Sequence, residues 1–168
     1  PHINGQSRKV LMNANRNGFF YVLDRVTGKF ILGKPFVKTT WASEITADGR
    51  PRILTNTNPN EKGATVCPAT AGGTNFMTPA YNPTLGLFFV TAREGCMTYY
   101  AWKVDYVPGE SFRGGAGVAS TTDPTYGALR AIDPVTGERR WEFRYASPTS
   151  AGVTGLLAGW PAWLSEDP

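Results

Sequence analysis

The sequence has a single histidine, His2, and only two cysteines, Cys67 and Cys96. One histidine at the start of the chain leaves no suitable base for a Ser-His-Asp triad within this segment. The two cysteines are far apart and match no zinc spacing, because zinc sites pair closely spaced ligands. The sequence therefore offers neither a histidine-based hydrolase site nor a zinc site.

Long apolar runs and clustered charge are also missing. No stretch of about 20 apolar residues is present, so we expect no membrane insertion. The formal net charge is only +4, and Arg8–Lys9 and Arg139–Arg140 are the only adjacent basic pairs. Phosphate binding usually needs a clustered basic patch, so we expect a solvated surface and no nucleic-acid site.

Apolar residues show no sustained helical spacing, which removes the main signal for long helices. What the sequence has instead is 19 glycines, 13 prolines and 12% aromatic residues. Frequent turn residues between aromatic and β-branched runs are typical of many short strands. The composition therefore predicts an all-β fold.

The most informative stretch is Leu129–Phe143, with the pattern A-x-D-x-x-T-G-x-x-x-W formed by Ala131, Asp133, Thr136, Gly137 and Trp141. Alternating residues up to Asp133 predict a strand. Proline after the aspartate and glycine at the far corner predict a tight turn, in which the carboxylate accepts backbone N–H groups. A second strand carrying the tryptophan then returns.

A second, imperfect copy of this pattern lies upstream. Asp24, Thr27 and Gly28 repeat the D-x-x-T-G spacing, with Leu32 in the tryptophan position. Two copies are evidence for a repeat array with about 40 to 50 residues per unit. The sequence also predicts strands at Arg8–Asn15 and Phe19–Asp24, and a loop at Asp105–Thr125.

Four stretches, in this order, resemble the quinoprotein (pyrroloquinoline quinone-dependent, PQQ-dependent) alcohol and methanol dehydrogenases: RKVLMNANRNGFFYVLDRVTGK, GKPFVKTTWA, VCPATAGGTNFMTPAYNPTLGLFFV and ALRAIDPVTGERRWEF. The resemblance implies the C-terminal part of an eight-bladed β-propeller, with Trp141 docking between blades. Residues 1–158 would form a partial propeller of about three four-stranded antiparallel blades, and residues 159–168 an atypical tail. Because the chain starts at Pro1, we expect it to be part of a longer or processed protein.

The resemblance also implies a cofactor site. Arg16 matches a cation that hydrogen-bonds the quinone oxygens of PQQ, where negative charge develops during hydride transfer. Asn75 matches a residue on the polar edge of the cofactor, and Phe76 stands beside it where the family often has tryptophan. Read from the residues alone, Arg16 is equally a surface arginine beside a turn, and Asn75 a cap on its own loop.

In the same family, positions matching Cys67 and Cys96 form a disulfide bond. Such a bond would clamp the Asn75 loop and would indicate an oxidising compartment, so the resemblance implies a periplasmic protein. The alternative is a pair of buried free thiols. The Ca²⁺ ligands and the catalytic Asp are expected outside this segment, so we predict no catalytic residue and no metal ligand in it. Asp24 and Asp133 are interpreted as turn residues.

The function implied is that of a fragment of a PQQ-dependent alcohol dehydrogenase that passes electrons to a cytochrome c. In that reading the partners are the alcohol substrate, the cytochrome c and the remainder of the propeller, with most substrate contacts outside this segment. The isolated segment would be inactive. The alternative function is a non-catalytic propeller scaffold for protein–protein contacts. A scaffold has no reason to carry Arg16 or the GGTN loop, residues 72–75. Cofactor binding therefore separates the two hypotheses.

Overall fold

A computed structural model describes residues 1–3 and 5–153 of the 168-residue chain. Over that part the chain forms β-strands joined by turns and loops, and no helix in it is long and apolar enough to cross a membrane. The strands are β1 (His2–Ile3), β2 (Gln6–Ser7), β3 (Val10–Ala14), β4 (Phe19–Asp24), β5 (Phe30–Pro35), β6 (Ala42–Ile45), β7 (Pro51–Ile53), β8 (Ala64–Val66), β9 (Ala80–Asn82), β10 (Leu87–Glu94), β11 (Met97–Ala101), β12 (Gly115–Ala119), β13 (Tyr126–Ile132) and β14 (Arg139–Arg144).

Two antiparallel sheets make up the body of the molecule. Strands β3, β4 and β5 form the first blade, and β14, β13, β10 and β9 form the second blade in that order. Phe20 on β4 meets Phe88 on β10 with ring centroids 5.0 Å apart, inside a cluster of eight buried residues that includes Val22, Val90 and Ile132. Burial of each such side chain contributes about 1.5 to 3 kcal/mol, so this interface holds the two blades face to face.

A third sheet, which we call the inserted sheet, is built from β8, β11 and β12. Strands β11 and β12 come between β10 and β13 in sequence, yet β10 pairs directly with β13 from Phe88↔Ile132 to Glu94↔Tyr126. The hairpin therefore leaves the second blade and pairs with β8 instead. Two short hairpins, β1–β2 and β6–β7, complete the described strands.

The all-β, partial-propeller fold is confirmed, with two differences in detail. About three four-stranded blades were expected; the described residues contain one four-stranded sheet and two three-stranded sheets. The reason is the inserted sheet, whose strands do not join a blade. The predicted loop at Asp105–Thr125 contains β12, whose five residues are all exposed. An exposed strand of small residues has no buried face to reveal it in the sequence.

The two D-x-x-T-G turns have the same geometry. In each, one carboxylate oxygen accepts two backbone N–H groups, at 3.0 and 2.9 Å for Asp24 and at 2.8 and 3.4 Å for Asp133. The turn glycines have φ values of 72° at Gly28 and 75° at Gly137. Hydrogen bonds from the Thr27 and Val26 backbone, the first of them the largest cause, lower the pKa of Asp24. Both aspartates lie in turns, as the sequence indicates.

The second turn packs against the first blade. A Cβ placed on Gly137 would lie 2.6 Å from Lys34 Cγ and 3.0 Å from Leu32 Cδ2, both on β5. Leu32 is the residue of the first D-x-x-T-G copy that corresponds to Trp141 in the second. This leucine packs on Gly137, the turn glycine of the second copy. Trp141 lies on β14 opposite Ala131 and is 37% exposed; its docking against another blade stays a prediction. Residues 159–168, the expected tail, lie outside the described residues.

A buried ion-pair network in the second blade also contacts the segment that follows the first blade. Arg130 on β13 is 1% exposed and contacts Glu94 Oε1 and Glu142 Oε2, each at 2.7 Å. It also donates to the carbonyl of Phe36, just after β5. Burial acts to raise the pKa of Glu142, but hydrogen bonds from Arg144 and Arg130 outweigh it and lower that pKa. The guanidinium thus has its two carboxylate partners in the second blade and a carbonyl partner in the segment that follows the first blade.

Candidate functional site

Arg16 lies at the tip of the β3–β4 turn, in the segment NRNG. The Asn15 side chain accepts the Asn17 backbone N–H at 3.0 Å, and the Gly18 N–H donates to the Asn15 carbonyl at 3.0 Å. Gly18 has a φ of 96°, and a Cβ there would lie 2.6 Å from Thr39 Oγ1. Only glycine fits both requirements, so the turn is fixed and presents the Arg16 side chain outward.

The loop that contains Gly72 and Gly73 packs directly on this turn. The Gly73 N–H donates to the Arg16 carbonyl at 3.0 Å, and the Gly73 carbonyl accepts the Arg93 N–H on β10 at 2.7 Å. A Cβ on Gly72 would overlap the Arg16 side chain. Glycines without a side chain allow this close backbone approach, and the group approached is Arg16.

The Arg16 guanidinium is held by a backbone carbonyl rather than by a carboxylate. Its Nε donates to the Thr70 carbonyl at 3.1 Å, and its Nη2 donates to the same oxygen. Within the part of the chain that the structure describes, no ion pair involves Arg16, although seven other pairs are present. Arg16 is therefore an oriented cation whose charge no described acidic side chain balances.

A cavity of about 490 Å³ opens beside this cation, lined by Asn17, Trp41, Pro68, Thr70, Gly72 and Tyr99 among others. Trp41 is fixed in place, because its Nε1 donates to the Asn17 carbonyl at 2.8 Å and its ring meets Phe19 edge-on at 5.8 Å. An aromatic wall beside an unbalanced cation suits a flat, negatively charged ligand. This is the site whose geometry we consider functional.

Sequence reasoning did not assign a role to Trp41, Tyr99 or Thr70. Trp41 lies next to the end of the stretch GKPFVKTTWA, which was the one available signal for it. Tyr99 and Thr70 are brought to Arg16 only by the fold, since Thr70 lies 54 residues from Arg16 in the chain.

Asn75 and Phe76 lie farther along the same loop and are exposed, Phe76 by 77%. The Asn75 Nδ2 donates to the Ala71 carbonyl at 3.2 Å, so the amide is engaged with its own loop. Neither residue is among those that line the 490 Å³ cavity. Arg16 and the GGTN backbone are therefore together, while cofactor contacts by the Asn75 and Phe76 side chains stay predictions.

Cys67 and Cys96 form a disulfide bond that closes the base of this loop, with Cα atoms 4.3 Å apart. Both residues are buried, and the adjacent Ala69 N–H donates to the Gly95 carbonyl at 2.8 Å. Asp123 lies near the two sulfur atoms. The hydrogen bond from Lys38, and then that from Ser120, lower the Asp123 pKa, and disulfide sulfurs are not thiolate ligands, so this cluster is a structural one.

Sequence comparison relates this chain to quinoprotein dehydrogenases. No family model matches the sequence. The chain is 40% identical over 158 residues to the quinoprotein alcohol dehydrogenase PedH of Pseudomonas putida, covering 89% of this chain and 27% of that protein. It is 33% identical over 167 residues to a lanthanide-dependent methanol dehydrogenase of Methylacidiphilum fumariolicum, covering 94% of this chain and 27% of the relative.

Solved structures give the same relationship. A europium-containing methanol dehydrogenase matches with a TM-score of 0.77 and 32% identity, over 88% of this chain and 27% of that one. The quinohemoprotein alcohol dehydrogenase of Comamonas testosteroni matches with a TM-score of 0.78 and 30% identity, over 90% of this chain and 24% of that one. The chain thus spans about a quarter of the length of these relatives. Across about nine-tenths of its own length, it is homologous to one part of the quinoprotein alcohol and methanol dehydrogenases and has the fold of that part.

Proposed function

We propose that this chain forms part of the cofactor site of a PQQ-dependent alcohol dehydrogenase, with Arg16 as its electrostatic contact. The observation that carries the proposal is the Arg16 guanidinium, which is oriented by the Thr70 carbonyl and has no carboxylate partner among the described residues. PQQ is flat, carries carboxylates and has quinone oxygens. An unbalanced cation beside Trp41 and Tyr99 fits such a molecule in both charge and shape.

The protein's contribution at this site is electrostatic. PQQ, when bound, supplies a quinone that can accept a hydride from an alcohol. Arg16 would provide fixed positive charge next to the quinone oxygens, which is most effective where the surroundings exclude water. Gly72 leaves room for the Arg16 side chain, and Trp41 offers a rigid surface whose orientation is set by the bond to Asn17.

The remaining parts of the reaction would come from outside this segment. We propose that the catalytic Asp and the Ca²⁺ ligands lie in other parts of the enzyme, and that a cytochrome c accepts the electrons. A periplasmic location is part of the same proposal, and it is supported by the Cys67–Cys96 disulfide, since such bonds persist in oxidising compartments. The alcohol substrate and the rest of the propeller would be the other partners.

The first test is titration of the chain with PQQ, followed by quenching of tryptophan fluorescence. We expect measurable but weak binding by the isolated chain, and binding about 10- to 100-fold weaker in Arg16→Ala, the effect of losing a hydrogen bond to a charged group. Arg25→Ala is the matched control, because Arg25 is exposed in the first D-x-x-T-G turn, away from the cavity. It should bind PQQ as the wild type does.

Equal PQQ binding by the wild type, Arg16→Ala and Asn75→Ala would instead favour the non-catalytic scaffold. The one observation that favours the scaffold is that the Asn75 amide donates a hydrogen bond to the Ala71 carbonyl of its own loop. We expect no turnover from the isolated chain. Dye-linked alcohol oxidation by the purified chain with PQQ and Ca²⁺ would contradict the placement of the catalytic Asp outside it.

A further inference from the structure

Thr70 connects the inserted sheet to Arg16. Its carbonyl accepts both hydrogen bonds from the Arg16 guanidinium. Its hydroxyl lies 3.2 Å from the Tyr99 hydroxyl and donates to the sulfur of Met97 at 2.9 Å. The three residues thus form a continuous path from strand β11 to the candidate cofactor cation.

The geometry of β11 explains why these two side chains reach Thr70 together. Met97 and Tyr99 are two residues apart on one strand and therefore share a face. On the neighbouring strand β12, Gly117 lies opposite Tyr99. A Cβ on Gly117 would lie 2.6 Å from Met97 Sδ and 3.7 Å from Tyr99 Cδ1. The glycine leaves the space that the methionine occupies.

We propose that Tyr99 is a positioning residue for Arg16, acting through Thr70. An exposed arginine has many rotamers, and fixing one of them has an entropic cost. The Tyr99 hydroxyl holds the Thr70 side chain, which limits rotation of the Thr70 peptide and keeps its carbonyl directed at the guanidinium. Strand β11 then supplies orientation to a cation that belongs to the β3–β4 turn.

Tyr99 also lines the cavity, so direct contact with a ligand and action through Thr70 must be separated. Two conservative changes do this. Tyr99→Phe removes one hydroxyl of the pair and keeps the ring, whereas Thr70→Val removes the other hydroxyl and leaves Tyr99 intact. Action through Thr70 requires both variants to disturb Arg16, with Thr70→Val at least as disturbing as Tyr99→Phe because it also loses the bond to Met97. The double variant should then add nothing to Thr70→Val alone.

The primary measurement needs no ligand. Hydrogen exchange of the Arg16 Nε–H is followed by NMR in ¹⁵N-labelled protein, with the signal assigned from its loss in Arg16→Ala. Loss of the Tyr99–Thr70 hydrogen bond is expected to speed this exchange about threefold to tenfold in Tyr99→Phe, and by at least as much in Thr70→Val. Tyr100→Phe is the matched control, since Tyr100 is the next residue on β11 and its ring faces Gly63 instead.

Unchanged Arg16 exchange in Tyr99→Phe would overturn the proposal, as would an equal acceleration in Tyr100→Phe. PQQ titration is the second measurement, and it alone rests on the proposed function. There, Tyr99→Phe should weaken binding in the wild-type background and have no effect in Arg16→Ala. Weaker binding in Tyr99→Phe but not in Thr70→Val would assign Tyr99 to direct ligand contact and also overturn the proposal.

If PQQ does not bind the wild type at all, the proposed function fails. The exchange measurement still decides whether Tyr99 positions Arg16, so the two failures are distinguishable.

Discussion

Arg130 on β13 is paired with Glu94 on β10 and Glu142 on β14, its two neighbouring strands in the second blade, and it also donates to the Phe36 carbonyl just after the first blade. Burial acts to lower its pKa, but hydrogen bonds to Glu94 and Glu142 outweigh this and raise the pKa above its usual value. The charged form is therefore the one that the fold requires. Glu94 also accepts the Lys38 backbone N–H at 2.9 Å, so the network reaches into the segment after β5.

Replacing Arg130 by methionine should destabilise the chain by about 3 kcal/mol, because Glu94 would lose its cation, whereas Glu142 keeps Arg139 and Arg144. Arg140→Met is the matched control, since Arg140 is exposed on the neighbouring strand β14. Urea unfolding followed by tryptophan fluorescence measures the difference. A loss of less than about 1 kcal/mol in Arg130→Met would mean that the network contributes no more than surface ion pairs do.

At this scale the sequence predicts local chemistry well and distant partners poorly. It placed Arg16 at a turn and Asp24 and Asp133 as turn acceptors, because those roles depend on residues two or three positions away. It could not single out Arg130, because the partners that allow its burial are distant in the sequence. The Phe36 carbonyl, for example, lies 94 residues away. Thr70 escaped notice for the same reason, since its carbonyl becomes important only once the loop folds onto Arg16.

At the scale of elements, the two D-x-x-T-G hairpins offer an internal comparison. Both have a register irregularity at the equivalent point, between Val22 and Leu23 and between Ala131 and Ile132. Both turn glycines have positive φ, yet a Cβ at Gly28 would meet nothing within 4 Å, whereas one at Gly137 would meet β5. The same local motif is therefore exposed in one copy and packed in the other.

Alanine substitutions at the two glycines should separate backbone strain from packing. Gly28→Ala should cost about 1 to 2 kcal/mol, the penalty for a side chain in the left-handed region. Gly137→Ala should cost about 1 to 3 kcal/mol more, because its methyl group would press on Leu32 and Lys34. Thermal or urea unfolding of both variants measures this. Equal losses would show that the contact between the second turn and β5 adds nothing to stability.

The hairpins were also the elements best predicted from the sequence. In the second hairpin, both strands and the turn follow from alternation, Pro134 and Gly137 within fifteen residues. The first hairpin has Arg25 at the position of Pro134, so its turn follows from the D-x-x-T-G spacing alone. The strand β12 was missed because GAGVA has neither β-branched runs nor a buried face, and only backbone pairing with β11 defines it. The number of four-stranded blades was overestimated because chain length alone does not distinguish a blade strand from an inserted one.

At the scale of the whole molecule, the described sheets have open edges. Strand β3 is the last strand on one side of the first blade, and β14 is the last on one side of the second. Edge strands present unpaired backbone groups that can pair with another chain. Self-association of the isolated chain follows from this arrangement.

Sedimentation velocity over a range of protein concentrations should show this association in the wild type. Leu11→Lys should reduce it, since Leu11 lies on β3 and is 47% exposed, and a lysine on an edge strand opposes further pairing. Val26→Lys adds the same charge at a 77% exposed turn position and should leave association unchanged. A monomeric wild type at every concentration would show that these edges are protected in solution.

The direct pairing of Glu94 with Tyr126 has a consequence for how the sequence can vary. The second blade closes at that pair, so residues 95–125 leave and re-enter the sheet at adjacent points. We expect insertions or deletions there to leave the register of β10 against β13 unchanged as long as the Cys67–Cys96 bond is kept. The same segment carries Cys96, Met97 and Tyr99. Changes in its sequence can therefore alter the surroundings of Arg16 while the strands of the second blade keep their pairing.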